Sequence, residues 1–277
     1  MIAHDTHLEI GAFVFDGLDQ IDLTGPFEVL SRIPNSTCRL YRITRDPVRD
    51  VHGLRLIPDA VLAEAPALDV LHVPGGFGQE ALMDNEDVLA WIRSQAVGAL
   101  GVLSVCTGAL LCGAAGLLRG RRATTHWSCQ HLLPCFGAIP VDARVVVDGS
   151  WVFAAGVTAG IDGAFRLAAE LRGEVAAQSI QLDMVYAPEP PFDSGTPETA
   201  PAAIAEQARR SYAGITALRE ETARRVAARL GIADLARNEG GLAPLRGHES
   251  PDFLARHASM QSSQESLSGP DRQPGEG

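Results

Sequence analysis

The sequence predicts an α/β fold with a mostly parallel sheet. Two observations carry this expectation. Short apolar runs alternate along the chain with amphipathic helical segments, as in successive βαβ units. One of those runs, ALGVLSV (99–105), stops abruptly at Cys106-Thr107-Gly108, the pattern of a strand that turns sharply into a helix. With 277 residues, 46% of them hydrophobic, the chain can build a sizeable core in one large domain or two small ones.

The elements follow in order. Residues 8–15 (LEIGAFVF) read as the first strand, followed by the turn-rich loop GLDQIDLTGP. A helix initiated around Asp22-Leu23-Thr24 runs to Arg32, with Pro26 early enough to be tolerated in a first turn. Residues 39–44 and 51–57 each alternate, the second as a candidate hairpin partner. Residues 69–73 (DVLHV) form a buried strand ending at Pro74-Gly75-Gly76, and residues 84–96 an amphipathic helix with Val88, Leu89, Ile92 and Ala96 on one face. A small-residue helix, GALLCGAAGLL, follows Cys106. VVVDGSWVF (145–153) is a hairpin with Asp148-Gly149 at its turn. Helices are expected over 158–171, 174–186 and 202–230, the last preceded by a Pro-rich strap, 185–201. The arginines of that last helix read as a solvated face. Residues 1–231 are taken as one catalytic domain, and 232–277 as a C-terminal extension whose end lacks large apolar residues and is expected to be disordered.

Composition excludes several function classes. A net charge of −11 argues against a nucleic-acid partner. No apolar run approaches the ~18 residues of a membrane span, and no secretory signal is evident. Five cysteines without CxxC spacing indicate neither a disulfide framework nor a metal site, so a cytoplasmic chain with reduced thiols is expected.

Cys106 is the residue on which chemistry converges. Ser104 and Gly108 are the small flanks that a tight strand-to-helix turn demands, and the turn would lift the thiol above the carboxyl edge of the sheet. A helix beginning at Thr107 would favour the thiolate. Cys38, Cys112, Cys129 and Cys135 read as structural. Asp22 lies in the loop after the first strand, on the same sheet edge as Cys106. It could act as an acid held partly protonated by burial and like charge, or as a helix cap. Gly75 and Gly76 could turn backbone N–H groups toward a bound group. His126 is a possible orienting residue, and His131 reads as surface.

Together DLTGP (22–26), PGG (74–76), SVCTGALLCGAAGLL (104–118), RATTHW (122–127) and GVTAGID (156–162) resemble the ThiJ/PfpI group of the class I glutamine-amidotransferase-like superfamily. The strap VYAPEPPFDSGTPETAP (185–201) and the basic terminal helix make the isonitrile hydratases the most similar branch. The resemblance implies a flavodoxin-like three-layer sandwich and a homodimer. It implies an enzyme, a carbon–nitrogen lyase, acting on a small-molecule isonitrile without metal or organic cofactor. It also implies that Cys106 is the nucleophile, Asp22 the nearby acid, and Thr107 the elbow residue whose N–H and hydroxyl face the site. Many relatives carry histidine after the cysteine; threonine here argues against peptidase or amidotransferase chemistry. Two alternatives remain: the ligand-sensing half of an AraC-type regulator, and a glyoxalase- or deglycase-like enzyme.

Overall fold

A computed structural model describes residues 2–232. In chain order the elements are β1 (Leu8–Phe13), α1 (Gln20–Leu30), β2 (Ser36–Arg42), β3 (Val48–Arg49), β4 (Arg55–Leu56), β5 (Ala60–Val61) and β6 (Val70–Val73). There follow α2 (Gln79–Leu82), α3 (Glu86–Gly98), β7 (Gly101–Val105), α4 (Gly108–Ala114), β8 (Arg122–Ala123), a 3-10 segment (Trp127–Phe136) and β9 (Ile139–Pro140). The hairpin β10 (Val145–Asp148) and β11 (Trp151–Ala154) precedes α5 (Ala159–Arg172), α6 (Glu174–Asp183) and α7 (Ala202–Arg229).

Seven strands form one sheet in the order β10-β11-β7-β6-β1-β2-β5. Every pairing in it is parallel except the β10–β11 hairpin. Alternate strand residues point to opposite faces. Thus Val102 enters the core on one side and Leu103 and Val105 the core on the other. The first core takes Trp91 of α3, Leu110 of α4, Phe136 of the 3-10 segment and Val226 of α7. The second takes Leu30 of α1, Leu167 and Leu171 of α5 and Ile180 of α6. The result is a helix–sheet–helix sandwich of the flavodoxin-like kind.

Several boundaries differ from the sequence expectation. The segment 51–57 does not form a strand of its own: Arg55–Leu56 pairs antiparallel with Val48–Arg49 in a separate ribbon, with Gly53 in the turn at φ +95°. The short β5, unanticipated, adds in parallel to β2 at the sheet edge. The helix after Cys106 stops at Ala114, because Gly116 adopts φ +79°, and is only seven residues long. Asn85 caps α3 by accepting from the Val88 N–H, which moves its start two residues on. The expected extension 232–277 lies, but for Ile232, outside the described residues. Among the described residues no helix is long and apolar enough to cross a membrane.

The order β2-β1-β6 places a topological switch between β1 and β6, where open α/β sheets leave a crevice at the carboxyl edge. The loops after β1, β6 and β7 meet there. Asp19 N–H donates to the Gly75 carbonyl at 3.0 Å, and Leu18 bridges Gly76.

Candidate active site

β7 ends at Val105, and Cys106 turns the chain with φ +55°, a left-handed conformation that few non-glycine residues adopt. Thr125 Oγ1 donates to the Cys106 carbonyl at 2.7 Å, and the Cys106 N–H donates to the Ala154 carbonyl at 2.9 Å, so the bend is held from two sides. Two residues on, position 108 must be glycine: a Cβ on Gly108 would stand 2.1 Å from the Val73 carbonyl oxygen. Gly75 is equally constrained, since a Cβ there would lie 2.5 Å from the Thr107 nitrogen and 2.9 Å from Asp22 Oδ2.

Asp22 sits in the first turn of α1 and is fully buried. It is not the cap; that position belongs to Asp19, whose side chain accepts from the Ile21 N–H at 3.1 Å. Asp22 Oδ2 accepts the Gly75 N–H at 3.0 Å. Its other oxygen makes no conventional hydrogen bond, and the Cys106 thiol is the neighbouring side chain that favours its charged form. Burial, reinforced by the charge of Asp19, nevertheless pushes the Asp22 carboxyl up to about 8. At neutral pH it is a carboxylic acid.

The thiol departs from expectation. Cys106 is only 7% exposed, and burial raises it well above an ordinary thiol, with Asp22 adding to the shift. The Thr107 N–H and the Arg219 charge pull the other way without overcoming it. The expected thiolate is therefore corrected to a protonated, buried thiol: loss of hydration outweighs the help of a seven-residue helix.

The expected backbone donors are also corrected. The Gly75 N–H is engaged by Asp22, and the Gly76 N–H donates to Thr107 Oγ1 at 3.1 Å. Thr107, buried, returns a bond from its hydroxyl to the Gly76 carbonyl at 3.2 Å. Its side chain therefore clamps the PGG loop to the elbow, while its N–H faces the sulfur. Neither glycine amide is free for a substrate.

His126 does not join the pair. Its Nδ1 meets Ser128 Oγ at 2.8 Å, and its ring lies 5.1 Å from the rings of Trp127 and Tyr212. Burial, and then the Arg219 charge, press it down to about 4. His131 is exposed and pairs with Glu220 at 3.0 Å.

Three residues at or beside the site were not expected there: His72 and Tyr212 have no reading in the sequence, and Arg219 is read as part of a solvated face. His72, on β6, is fully buried; its Nε2 faces the Asp22 carbonyl at 3.0 Å and its Nδ1 the Leu103 carbonyl at 3.2 Å. Burial holds it neutral, at about 4, so it donates to only one of them. Tyr212 and Arg219 come from α7. The solvated reading of that helix suits Arg209, Arg210 and Arg224, which pair with Glu206 and Glu220. It fails for Arg219, which is 1% exposed and donates to the Gly76 carbonyl at 2.8 Å and toward Cys129 Sγ at 3.5 Å. A signal existed: Arg219 shares a helical stripe with Thr222, Ala223 and Val226, all buried. Among the described residues no group of three or more His, Cys, Asp or Glu side chains could hold a metal ion.

Residues 9–170 match the DJ-1/PfpI family. The chain is 50% identical over 225 residues to an isonitrile hydratase of Pseudomonas putida, across 81% of this chain and 99% of that protein. It is 30% identical over 141 residues to a deglycase of Thermococcus kodakarensis, across 50% of this chain and 83% of that one. The crystal structure of a ThiJ/PfpI family protein from Pseudomonas syringae superposes with a TM-score of 0.77 at 37% identity, covering 79% of this chain and 91% of its own. The chain belongs to the DJ-1/PfpI family.

Proposed function

We propose that this DJ-1/PfpI protein is an isonitrile hydratase, adding water to R–NC to give an N-substituted formamide. The observation that carries the reading is the enclosed Cys106–Asp22 pair, a nucleophile beside a carboxyl that stays protonated at neutral pH. The 50% identity to the P. putida enzyme along nearly its whole length supports the substrate class.

The terminal carbon of an isonitrile accepts a nucleophile and a proton at the same atom. The reactive form of the pair carries one proton between its two groups. Cys106 sulfur forms the C–S bond while Asp22 delivers its proton to that carbon, giving R–N=CH–S–Cys106 and an Asp22 carboxylate. Asp22 then takes a proton from water as the oxygen adds, and passes it to nitrogen. The adduct R–NH–CH(OH)–S–Cys106 collapses. The C–S bond breaks, the hydroxyl proton returns to Asp22, and R–NH–CHO leaves with the one-proton pair restored. Thr107 and Gly75 serve by position: the first clamps the PGG loop, the second orients the acid. The homodimer that the family resemblance implies is tested separately, by light scattering in solution.

The test is direct. Purified protein is incubated with cyclohexyl isonitrile and, separately, with methylglyoxal. N-cyclohexylformamide is expected from the first, and quenched mass spectra should show a thioimidate on Cys106. Cys106→Ala should make no formamide while unfolding at the wild-type temperature. Formamide formed at an undiminished rate by Cys106→Ala, or lactate formed from methylglyoxal as the sole product, overturns the proposal.

A further inference from the structure

Arg219 is the largest fully buried side chain of the described residues. A buried cation is ordinarily paired with a carboxylate. Here its recorded partners are neutral, the Gly76 carbonyl and Cys129 Sγ, and its Nε has none. Its guanidinium also lies 6.0 Å from the centre of the Phe77 ring. Through Gly76 it is one residue from both Thr107 and the amide that holds Asp22.

The other titratable groups around the pair supply no positive charge. Asp19, at the cap of α1, is acidic and raises Asp22 further. His72 of β6 and His126 of the 3-10 segment are both neutral at working pH. Cys129 is buried, and Tyr212 of α7 is pushed up by burial and by the thiol. Arg219 is thus the one cation among these neighbours. Its field already reaches three of them, lowering Cys106, His126 and Tyr212.

We propose that Arg219 is a positioning residue of this site: its buried guanidinium is the counter-charge for the single negative charge that Cys106 and Asp22 share in their reactive one-proton form. Without it that form would be a lone anion in a buried site. The role rests on the proposed hydratase reading for its catalytic meaning, but the charge balance is a property of the thiol and is measurable without any isonitrile.

The experiment follows the pH dependence of Cys106 alkylation by iodoacetamide, read by peptide mass spectrometry. Wild type, Arg219→Lys and Arg219→Met are compared, each also assayed for kcat and KM with cyclohexyl isonitrile. Arg219→Met is expected to move the alkylation midpoint up by about one pH unit or more and slow alkylation at pH 7 about tenfold or more. Its kcat should fall with KM little changed. Arg219→Lys keeps the charge and should stay within about threefold of wild type, about half a pH unit. If Arg219→Met fails to fold, Arg219→Gln, which keeps a donor for the Gly76 carbonyl, makes the same comparison. An unmoved midpoint in the neutral variant overturns the proposal, as does an equal shift in Lys and Met, which would mark a packing role. Wild type that makes no formamide would sink the hydratase reading while leaving the thiol titration to decide this one.

Discussion

Replacing Asp22 with asparagine should abolish turnover and stabilise the protein, and the pH dependence of the second effect is the sharper test. The carboxyl titrates at about 8 in the fold against 3.8 for a free aspartate. Between those values the native state holds a proton that the unfolded chain has released. Stability therefore falls as pH rises through this window. Each pH unit costs wild type about 1.4 kcal/mol relative to a variant that cannot titrate, or roughly 3 kcal/mol between pH 5 and pH 7.5. How well the amide fits beside Gly75 shifts the gap between the two proteins by a constant and cancels from its change with pH. The assay is urea unfolding of both proteins at the two pH values, with the alkaline gap exceeding the acid one by about 3 kcal/mol. For a chain of this size that corresponds to roughly 6–12 °C in melting temperature. A gap that does not change with pH would mean that Asp22 is ionised in the fold. It would then be unable to deliver a proton, and the acid role would fall.

Three further outcomes follow from the same geometry. The one-proton form of the pair is reached by losing a proton from a site whose carboxyl titrates near 8, so kcat/KM should rise from pH 6 and level above about 8; a rate that falls over that range would reverse the assignment of the reactive form. Gly108→Ala places a Cβ against the Val73 carbonyl and should cost about 3 kcal/mol in urea unfolding, with an unchanged midpoint showing that the elbow has room to spare. Thr107→Val keeps the side-chain shape but strands the buried Gly76 N–H; a loss of about 1–3 kcal/mol is expected, and Thr107→Ser should restore it.

The sheet was legible because strands and helices leave different periods, and the elbow because Ser104, Cys106 and Gly108 coincide at the end of an apolar run. Boundaries failed where local chemistry is ambiguous. Asp19 and Asp22 are both good cap residues three positions apart, and only the approach of the PGG loop decides that one caps and the other is buried. The state of the thiol is not legible, because a helix N-terminus is visible in sequence while the desolvation opposing it is not. Gly75 and Gly76 looked like free donors because their partners, Asp22 and Thr107, lie more than thirty residues away in the chain. Arg219 was hidden among arginines of identical composition. Its stripe with Ala223 and Val226 was available, but an arginine on an apolar stripe is ordinarily assigned to the rim.

These particulars explain together why threonine, not histidine, follows the cysteine. On the proposed reaction the proton must go to carbon, so a neighbour that keeps its proton at neutral pH is an asset and a competing base is not. A histidine at position 107 would add a second titrating group beside the sulfur and lose the hydroxyl that holds Gly76. The two buried imidazoles, His72 and His126, are kept neutral by burial, near 4, far below the value of Asp22. Threonine contributes no titrating group and uses its hydroxyl for the clamp on Gly76. The missing positive charge cannot then come from the elbow itself. It comes from a permanently charged guanidinium, which balances an anion without exchanging protons with it. That division of labour assigns the acid to the loop after β1, the sulfur to the end of β7 and the counter-charge to α7, and it makes the terminal helix part of the chemistry rather than a cover over it.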